Sequence, residues 1–314
     1  MDNTELILQI KKLQQAKNAV IMAHYYQESE IQDLADFVGD SLALAQKAVN
    51  TSADIIVLAG VNFMAETAKI LNPSRKVLIP DKEAGCSLAD SCNIDDFKKF
   101  LANNTGRTVI TYVNTTAEIK ALSDIICTSS NAVQIVESLP KDEKIIFAPD
   151  RNLGNYVLNQ TGRDIVVWNG ACHVHEEFSL EAILELKKTN SEAKILVHPE
   201  CELPIRMVAD FIGSTAALLE FSKKDNFNKY IIATEPGIIH QMQKENLHKI
   251  FIPAPPKDST CGCSECNFMK LITLEKIYNC LNNESPEINL NEEIIMKASK
   301  PITKMLDISK KLGL

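Results

Sequence analysis

Three stretches of this 314-residue chain can be laid over one another without gaps, and that self-similarity limits the fold more than any other feature. With His24, Tyr112 and His198 in register, Asp36, Asp124 and Asp210 stand twelve residues on, and the hydroxyls Ser41, Ser129 and Thr215 seventeen residues on. The apolar columns between them agree as well: Ile31/Ile119/Ile205, Leu34/Leu122/Val208, Phe37/Ile125/Phe211 and Val38/Ile126/Ile212. A shared strand-then-helix rhythm would account for the apolar columns. It would not account for an aspartate column and a hydroxyl column at fixed spacing, so the chain reads as three copies of one unit.

Each copy begins with a β-rich run (21–26, 108–113, 194–198), followed by a short helix and then the hydroxyl, a candidate N-cap for a second helix (42–50, 130–138, 216–223). A second strand follows (55–59, 145–148, 230–233), then a helix, then a third strand (77–79, 165–168, 250–252). Ser29 with Gln32 has capping-box form, and Ser179 can cap a helix over 181–188. Strands alternating with helices imply parallel sheets covered on both faces. The expected fold class is therefore α/β: three homologous three-layer α/β/α units with parallel sheets, in pseudo-threefold arrangement around a central site. The expected boundaries are 1–105 with an N-terminal helix, 106–190, and 191–314 with a helical tail. That tail, from about Phe268, is expected to pack across a neighbouring unit. The aspartate column is expected to make a structural hydrogen bond at a helix–strand junction.

The longest apolar run, 55–61, is far too short to span a bilayer, and Met1 to Glu5 shows no basic-then-apolar signal, so a cytoplasmic protein without a membrane role is expected. A net charge of -8 with scattered Lys and Arg argues against nucleic acid as a partner. Nine cysteines, an odd number in such a chain, point to metal ligation or reactive thiols rather than a disulfide framework.

After each third strand the chain enters a cysteine-bearing loop: Cys86 behind Gly85, Cys172 behind Gly170-Ala171, and the cluster Cys261-Gly262-Cys263-Ser264-Glu265-Cys266. Equivalent loops around one axis can converge, each delivering one thiolate to a shared metal centre. Four thiolates complete an ordinary [4Fe–4S] cluster, whereas three leave one iron open as a Lewis acid for a hydroxyl or carboxylate. On spacing alone, the C-x-C-x2-C run could also be half of a structural zinc site or a redox disulfide, and a lone cysteine is ordinarily a small buried hydrophobe. Recurrence in every copy favours the shared centre. Cys92, Cys127, Cys201 and Cys280 read as core residues.

Residues two apart on a strand share a face, so His24 with Tyr26, Tyr112 with Asn114, and His198 with Glu200 form equivalent pairs. They stand at the C-terminal ends of the first strands, the edge at which open parallel sheets bind ligands. Ser41, Ser129 and Thr215 open helices whose positive N-termini suit a carboxylate or phosphate, which predicts an anionic small molecule. Gly39 and Gly213 allow close backbone approach there, while the second copy carries Cys127. Lys223 and Lys224 are candidates for holding a phosphate. No glycine sits in a G-x-G-x-x-G or Walker pattern, so no dinucleotide or ATP site is indicated.

Taken together, His24-Tyr25-Tyr26-Gln27, the 81–86 loop, Thr111-Tyr112-Val113-Asn114, Cys172-His173-Val174-His175-Glu176, His198-Pro199-Glu200-Cys201 and Cys266-Asn267-Phe268-Met269-Lys270 resemble the bacterial quinolinate synthase family. The resemblance runs from about residue 18 to the C-terminus. It implies a transferase that condenses iminoaspartate (iminosuccinate) with dihydroxyacetone phosphate, giving quinolinate, phosphate and water in de novo NAD biosynthesis. It also implies an aspartate-oxidising enzyme as supplier of iminoaspartate and an oxygen-sensitive [4Fe–4S] cluster on three cysteines, Cys86, Cys172 and Cys266. Three cysteines compete for the last place; the run 267–270 after Cys266 resembles the family's ligand context, which leaves Cys261 and Cys263 free or in a reversible disulfide. Substrate is implied to bind at His24, Ser41, Tyr112, Asn114, Ser129, His198, Glu200 and Thr215.

Within that frame Glu200 is expected to move protons, His198 to tune it, Tyr26 and His24 to handle the triose hydroxyl or enediol, and Tyr112 to share in catalysis. Two other classes compete: a different Fe–S hydro-lyase, and a non-catalytic iron–sulfur or zinc redox sensor. A sensor calls for a partner-binding or basic DNA-binding segment, and none is visible.

Overall fold

The computed structural model describes residues 2–258 and 264–314, so Cys261 and Cys263 lie outside the described residues. The first unit carries β1 (Ala19–His24), β2 (Phe37–Gly39), β3 (Ile55–Ala59) and β4 (Lys76–Leu78), all parallel, in the order β2-β1-β3-β4. The second repeats this with β5 (Thr108–Tyr112), β6 (Ile125–Cys127), β7 (Ile145–Ala148) and β8 (Ile165–Val167) in the order β6-β5-β7-β8. The third does so again with β9 (Lys194–Val197), β10 (Phe211–Ile212), β11 (Lys229–Ala233) and β12 (Ile250–Pro253) in the order β10-β9-β11-β12. β3 and β7 are buried along their whole length, as strands covered on both faces by helices must be, which is why they read as unbroken apolar runs. The sequence showed three strands per unit. The fourth in each, β2, β6 or β10, is an edge strand of two or three residues, too short to display a period.

The aspartate column closes each of these edges. Asp36, Asp124 and Asp210 accept the backbone N–H of Ile21, Val109 and Ile195 at 2.8, 2.8 and 2.7 Å. Each aspartate's own N–H donates at 2.9 Å to the carbonyl of that same strand residue. The result is a two-bond clasp between strand and returning chain, built three times.

The hydroxyl column plays a different part from the expected one. The caps of the helices Ser41–Asn50 and Thr215–Lys224 are Asp40 and Ser214, whose side chains accept from Ala43 N at 3.0 Å and Ala217 N at 3.2 Å. Ser41 and Thr215 are the first helical residues, and Ser129 lies in the turn before the helix Ala132–Glu137. An N-cap side chain must turn back onto its own helix; with that work done one residue earlier, Ser41 and Thr215 are left for the cavity, and Ser129 stands two residues before Asn131, the N-cap of its helix. The capping box at Ser29 is not formed either. Ser29 is already helical, and Gln32 donates instead to the carbonyls of Tyr25, Gln27 and Gly237 at 2.9, 2.8 and 2.9 Å. Ser179 does cap Leu180–Thr189, through Ala182 N.

Gln32 belongs to a column that holds the units together. Eight residues after His24, Tyr112 and His198 stand Gln32, Lys120 and Arg206, all buried. Gln32 reaches Gly237 of the third unit. Lys120 donates to the Thr115 carbonyl, sits 5.4 Å over the Phe63 ring of the first unit and feels the charge of Glu66 there. Arg206 lies 5.6 Å over the Tyr156 ring of the second unit and faces Asp150. First reaches third, second reaches first and third reaches second, a cyclic lock around the shared centre. Burial pulls the Lys120 ammonium down to about 8, against the opposing effect of Glu66.

The C-terminal segment runs back over the first two units. Helix Leu274–Asn283 packs on helix Asn3–Ala16 and on β3, and helix Glu292–Leu312 packs on β6 and on helices Ala117–Lys120 and Asn62–Leu71. No helix of the described residues is long and apolar enough to cross a membrane.

Candidate active site and cysteine centre

The leaving ends of β1, β5 and β9 open onto one cavity. His24, Tyr26, Tyr112, Asn114, His198 and Glu200 line it, as do Ser41, Ser129 and Thr215. All the residues singled out on the first strands and at the hydroxyl column are therefore brought together.

The first and third units set their histidines identically. His24 Nδ1 accepts the N–H of Tyr26 at 3.2 Å, and His198 Nδ1 accepts the N–H of Glu200 at 3.3 Å. With Nδ1 occupied as an acceptor, the proton of each neutral ring sits on Nε2, which in His198 donates to Ser129 Oγ at 3.2 Å. Burial pulls both imidazoles down to about 3, so both are neutral donors at physiological pH. In the second unit the place of the histidine is taken by Tyr112, which donates to Glu200 Oε1 at 2.6 Å. Asn114 Oδ1 is buried with no hydrogen-bond partner among the described residues, as expected of a group awaiting a ligand.

A polar chain runs round the wall. Tyr26 Oη is 2.8 Å from Thr215 Oγ1 and 2.9 Å from Thr234 Oγ1, and Thr234 Oγ1 is 3.0 Å from His175 Nε2. His175 Nδ1 lies 3.4 Å from Glu200 Oε2, and its ring stacks on His198 at 4.5 Å. Burial pushes the Glu200 carboxyl up, but His175, His198 and Tyr112 outweigh it and hold the group below the usual carboxylate range. The neighbouring carboxyl of Asp150 goes the other way, raised first by burial and then by the charge of Glu200. Tyr26 and Tyr112 are raised well above the ordinary phenol, chiefly by burial, and stay protonated.

Cys86, Cys172 and Cys266 line the same cavity, one from each unit, as free and partly exposed thiols. Cys92, Cys127, Cys201 and Cys280 are buried, at 1%, 0%, 0% and 1% exposure, in keeping with the core reading. Each cavity cysteine stands at the start of a short helical turn. Cys86 is N-cap of Ser87–Asp90, Cys172 of His173–Glu176, and Cys266 precedes the 3-10 turn Met269–Leu271. The backbone N–H groups of Leu88 and Ala89, of His175, and of Phe268 and Met269 act electrostatically in favour of the thiolates, although neither Cys86 nor Cys172 accepts a hydrogen bond as a cap. Burial nevertheless pushes the Cys86 thiol up to about 12 and the other two upward, with Cys266 adding to the rise of Cys86 and Cys86 to that of Cys172. Three thiols, one from each unit, that line one cavity and in which Cys266 opposes the ionisation of Cys86, and Cys86 that of Cys172, could be held as thiolates by a shared cationic centre. The donor set fits a cluster held by three thiolates.

The family model described as Quinolinate synthetase A protein matches residues 8–307. The chain belongs to the quinolinate synthetase A family. It is 57% identical over 305 residues to the quinolinate synthase of Thermosynechococcus vestitus, covering 97% of this chain and 96% of that one. The quinolinate synthase of Microcystis aeruginosa is 58% identical over 305 residues, covering 97% and 95%. That of Chloroherpeton thalassium is 53% identical over 310 residues, covering 99% and 96%. The protein is accordingly an enzyme of the quinolinate synthetase A family.

Two expectations are corrected within this family frame. Lys223 and Lys224 stand in the last turn of Thr215–Lys224, paired with Glu220 and, for Lys223, Glu245, at the opposite end of that helix from the cavity. Among the described residues lining the cavity none is lysine or arginine. Gly39 and Gly213 do serve close approach, but of neighbouring side chains: an added Cβ would stand 2.9 Å from Ala43 and Phe37, or 2.8 Å from Phe211 and 2.9 Å from Ala217.

Sequence reasoning passed over His175, Thr234, Asp150 and the Gln32/Lys120/Arg206 column. The column was available as a long buried donor at one offset in all three copies. His175 was within a quoted motif, but its partners Thr234 and Glu200 come from another unit.

Proposed function

We propose that the protein condenses iminoaspartate with dihydroxyacetone phosphate to quinolinate, releasing phosphate and water, in the cytoplasm, as the ring-forming step of de novo NAD biosynthesis. An aspartate-oxidising enzyme is the fitting source of the imine. The observation that carries the reading is the meeting of three free thiols, one per unit, with the His24, Tyr112 and Glu200 wall in one cavity free of lysine and arginine. The relatives named quinolinate synthase support the same reaction.

When bound on Cys86, Cys172 and Cys266, a [4Fe–4S] cluster supplies an open iron whose Lewis acidity suits loss of water from a hydroxyl-bearing intermediate. The chain's residues do the rest. The helix starts at Ser41 and Thr215, the Nε2–H groups of His24 and His198, the Ser129 hydroxyl and the Asn114 amide orient the anionic substrates. Glu200 accepts and returns a proton through its hydrogen-bonded partner Tyr112, with His198 and His175 holding it. Tyr26, anchored by Thr215 and Thr234, directs the triose hydroxyl together with His24.

A second reading has one observation in its favour: Cys172, His175 and Glu200 offer donor atoms within 4.8 Å of one another, a possible site for a single metal ion. It leaves Cys86 and Cys266 without a purpose. Iron, acid-labile sulfide and zinc content of anaerobically matured protein, followed by a quinolinate assay, separates the two. About four irons and four sulfides per chain with quinolinate formed is the expected result. Zinc without sulfide, in protein that makes no quinolinate, would overturn it.

A further inference from the structure

The second strands end in register: Ala59, Ala148 and Ala233 pair with Ala23, Thr111 and Val197, residues at one position of the repeat. Two residues beyond stand Val61, Asp150 and Glu235. Asp150 and Glu235 are both 0% exposed, and neither lines the cavity.

They divide their oxygens in the same way. Asp150 accepts Leu153 N–H at 2.7 Å on Oδ1, within its own turn, and Cys172 N–H at 3.2 Å on Oδ2. Glu235 accepts Gly237 N–H at 2.7 Å on Oε2, within its own turn, and Cys266 N–H at 3.4 Å on Oε1. Lys270, four residues past Cys266, lies 3.3 Å from Glu235 and 3.3 Å from Glu28 and donates to the Tyr26 carbonyl at 3.1 Å, so the cysteine turn is also tied to the end of β1. The first unit, with Val61, does without an acid. There Asn62 N–H donates to the Ala84 carbonyl at 2.7 Å, and Ser87 Oγ meets His173 Nδ1 at 2.7 Å.

A buried carboxylate is a poor investment for stability alone, because desolvation offsets most of what its partners return. Two of them, at one repeat position and each bonded to the amide of a different cavity cysteine, do something an apolar residue cannot. We propose that Asp150 and Glu235 are positioning residues that hold the Cys172 and Cys266 turns in place before the metal centre is assembled. The proposal rests on the reading of these cysteines as ligands and deepens it; ligands fixed from behind need not be ordered by the metal.

The test uses the full chain in cluster-free form. Iodoacetamide modification is followed separately at Cys172 and Cys266 by peptide mass spectrometry in Glu235→Ala, Asp150→Ala and the conservative Glu235→Gln and Asp150→Asn variants. Retention of reconstituted iron and sulfide against a chelator is measured in parallel. Glu235→Ala is expected to speed modification at Cys266 by about fivefold, the equivalent of one ordinary hydrogen bond, with Cys172 unchanged. Asp150→Ala is expected to do the reverse, both alanine variants to shed iron faster, and the amide variants, which keep one acceptor oxygen where two N–H groups call for two, to fall between alanine and wild type. Equal acceleration at the two cysteines, or none, would overturn the proposal. Asp150 also caps the helix Arg151–Thr161; if its alanine variant does not fold, the Glu235 pair decides alone. Should wild-type protein take up no iron and sulfide, the cluster reading falls, and the modification pattern still decides whether these acids position the turns.

Discussion

At the entering ends of β1, β5 and β9 the same aspartate clasp is built three times, while at the leaving ends of these strands no two pairs are alike: His24 with Tyr26, Tyr112 with Asn114, His198 with Glu200. The clasp answers a local demand, closing an edge strand onto its neighbour, and each unit has to meet it for itself. The cavity is completed once, by the sum of three units, so each copy is free to carry a different group there. Repetition thus marks what folding requires, and divergence within the repeat marks what chemistry requires.

The comparison can be broken at the cavity end first. Cys86→Ala and Cys172→Ala are expected to abolish both iron–sulfide content and quinolinate formation, whereas Cys280→Ala, in the core, keeps both; a colourless, fully active Cys86→Ala protein would end the iron reading. Next in size, Glu200→Gln is expected to lower kcat by roughly 10²–10⁴ with metal content intact, the range of a lost proton-transfer group. Full turnover in that variant would remove Glu200 from its role.

At the clasp end the expected currency is stability. Asp36→Ala, Asp124→Ala or Asp210→Ala each leaves a strand N–H without its side-chain acceptor and should cost about 1–3 kcal/mol in denaturant unfolding. Activity per folded molecule should hold in all three, and a selective loss of turnover in any one would show that the two ends are not separate. The smallest effect is expected outside both ends, at Glu284, which Lys17 and Lys76 hydrogen-bond and hold down to about 2. A carboxyl lowered on folding contributes stability above its unfolded value, lost as pH falls from about 4.5 towards 2. Glu284→Gln should flatten that part of the acid-unfolding curve and leave neutral-pH activity alone.

Much of the fold was legible because parallel sheets need long apolar central strands, and those survive in all three copies. The edge strands β2, β6 and β10 escaped notice because two or three residues carry no period. Ser41 and Thr215 were placed one residue out as caps, since Asp40 and Ser214 are equally good capping residues and only backbone geometry chooses between neighbours. Within the site, recurrence behind the third strands points to Cys86, Cys172 and the 261–266 cluster, and only the resemblance of the run after Cys266 singles out that cysteine. His175 and Asp150 could not be singled out in this way: neither recurs at its offset, and the partners that give His175 its place, Thr234 and Glu200, belong to another unit.

By itself the sequence determined the threefold α/β plan, the clasp and the groups gathered at the leaving ends, because strand period, helix rhythm and fixed spacing are local properties carried along the chain. Only the tertiary structure decided which groups touch. The Glu200 carboxyl is pulled down while that of Asp150 is raised, Lys223 and Lys224 face away, and Glu235 backs Cys266. Each of these depends on burial and on a distance between units that no spacing along one chain specifies.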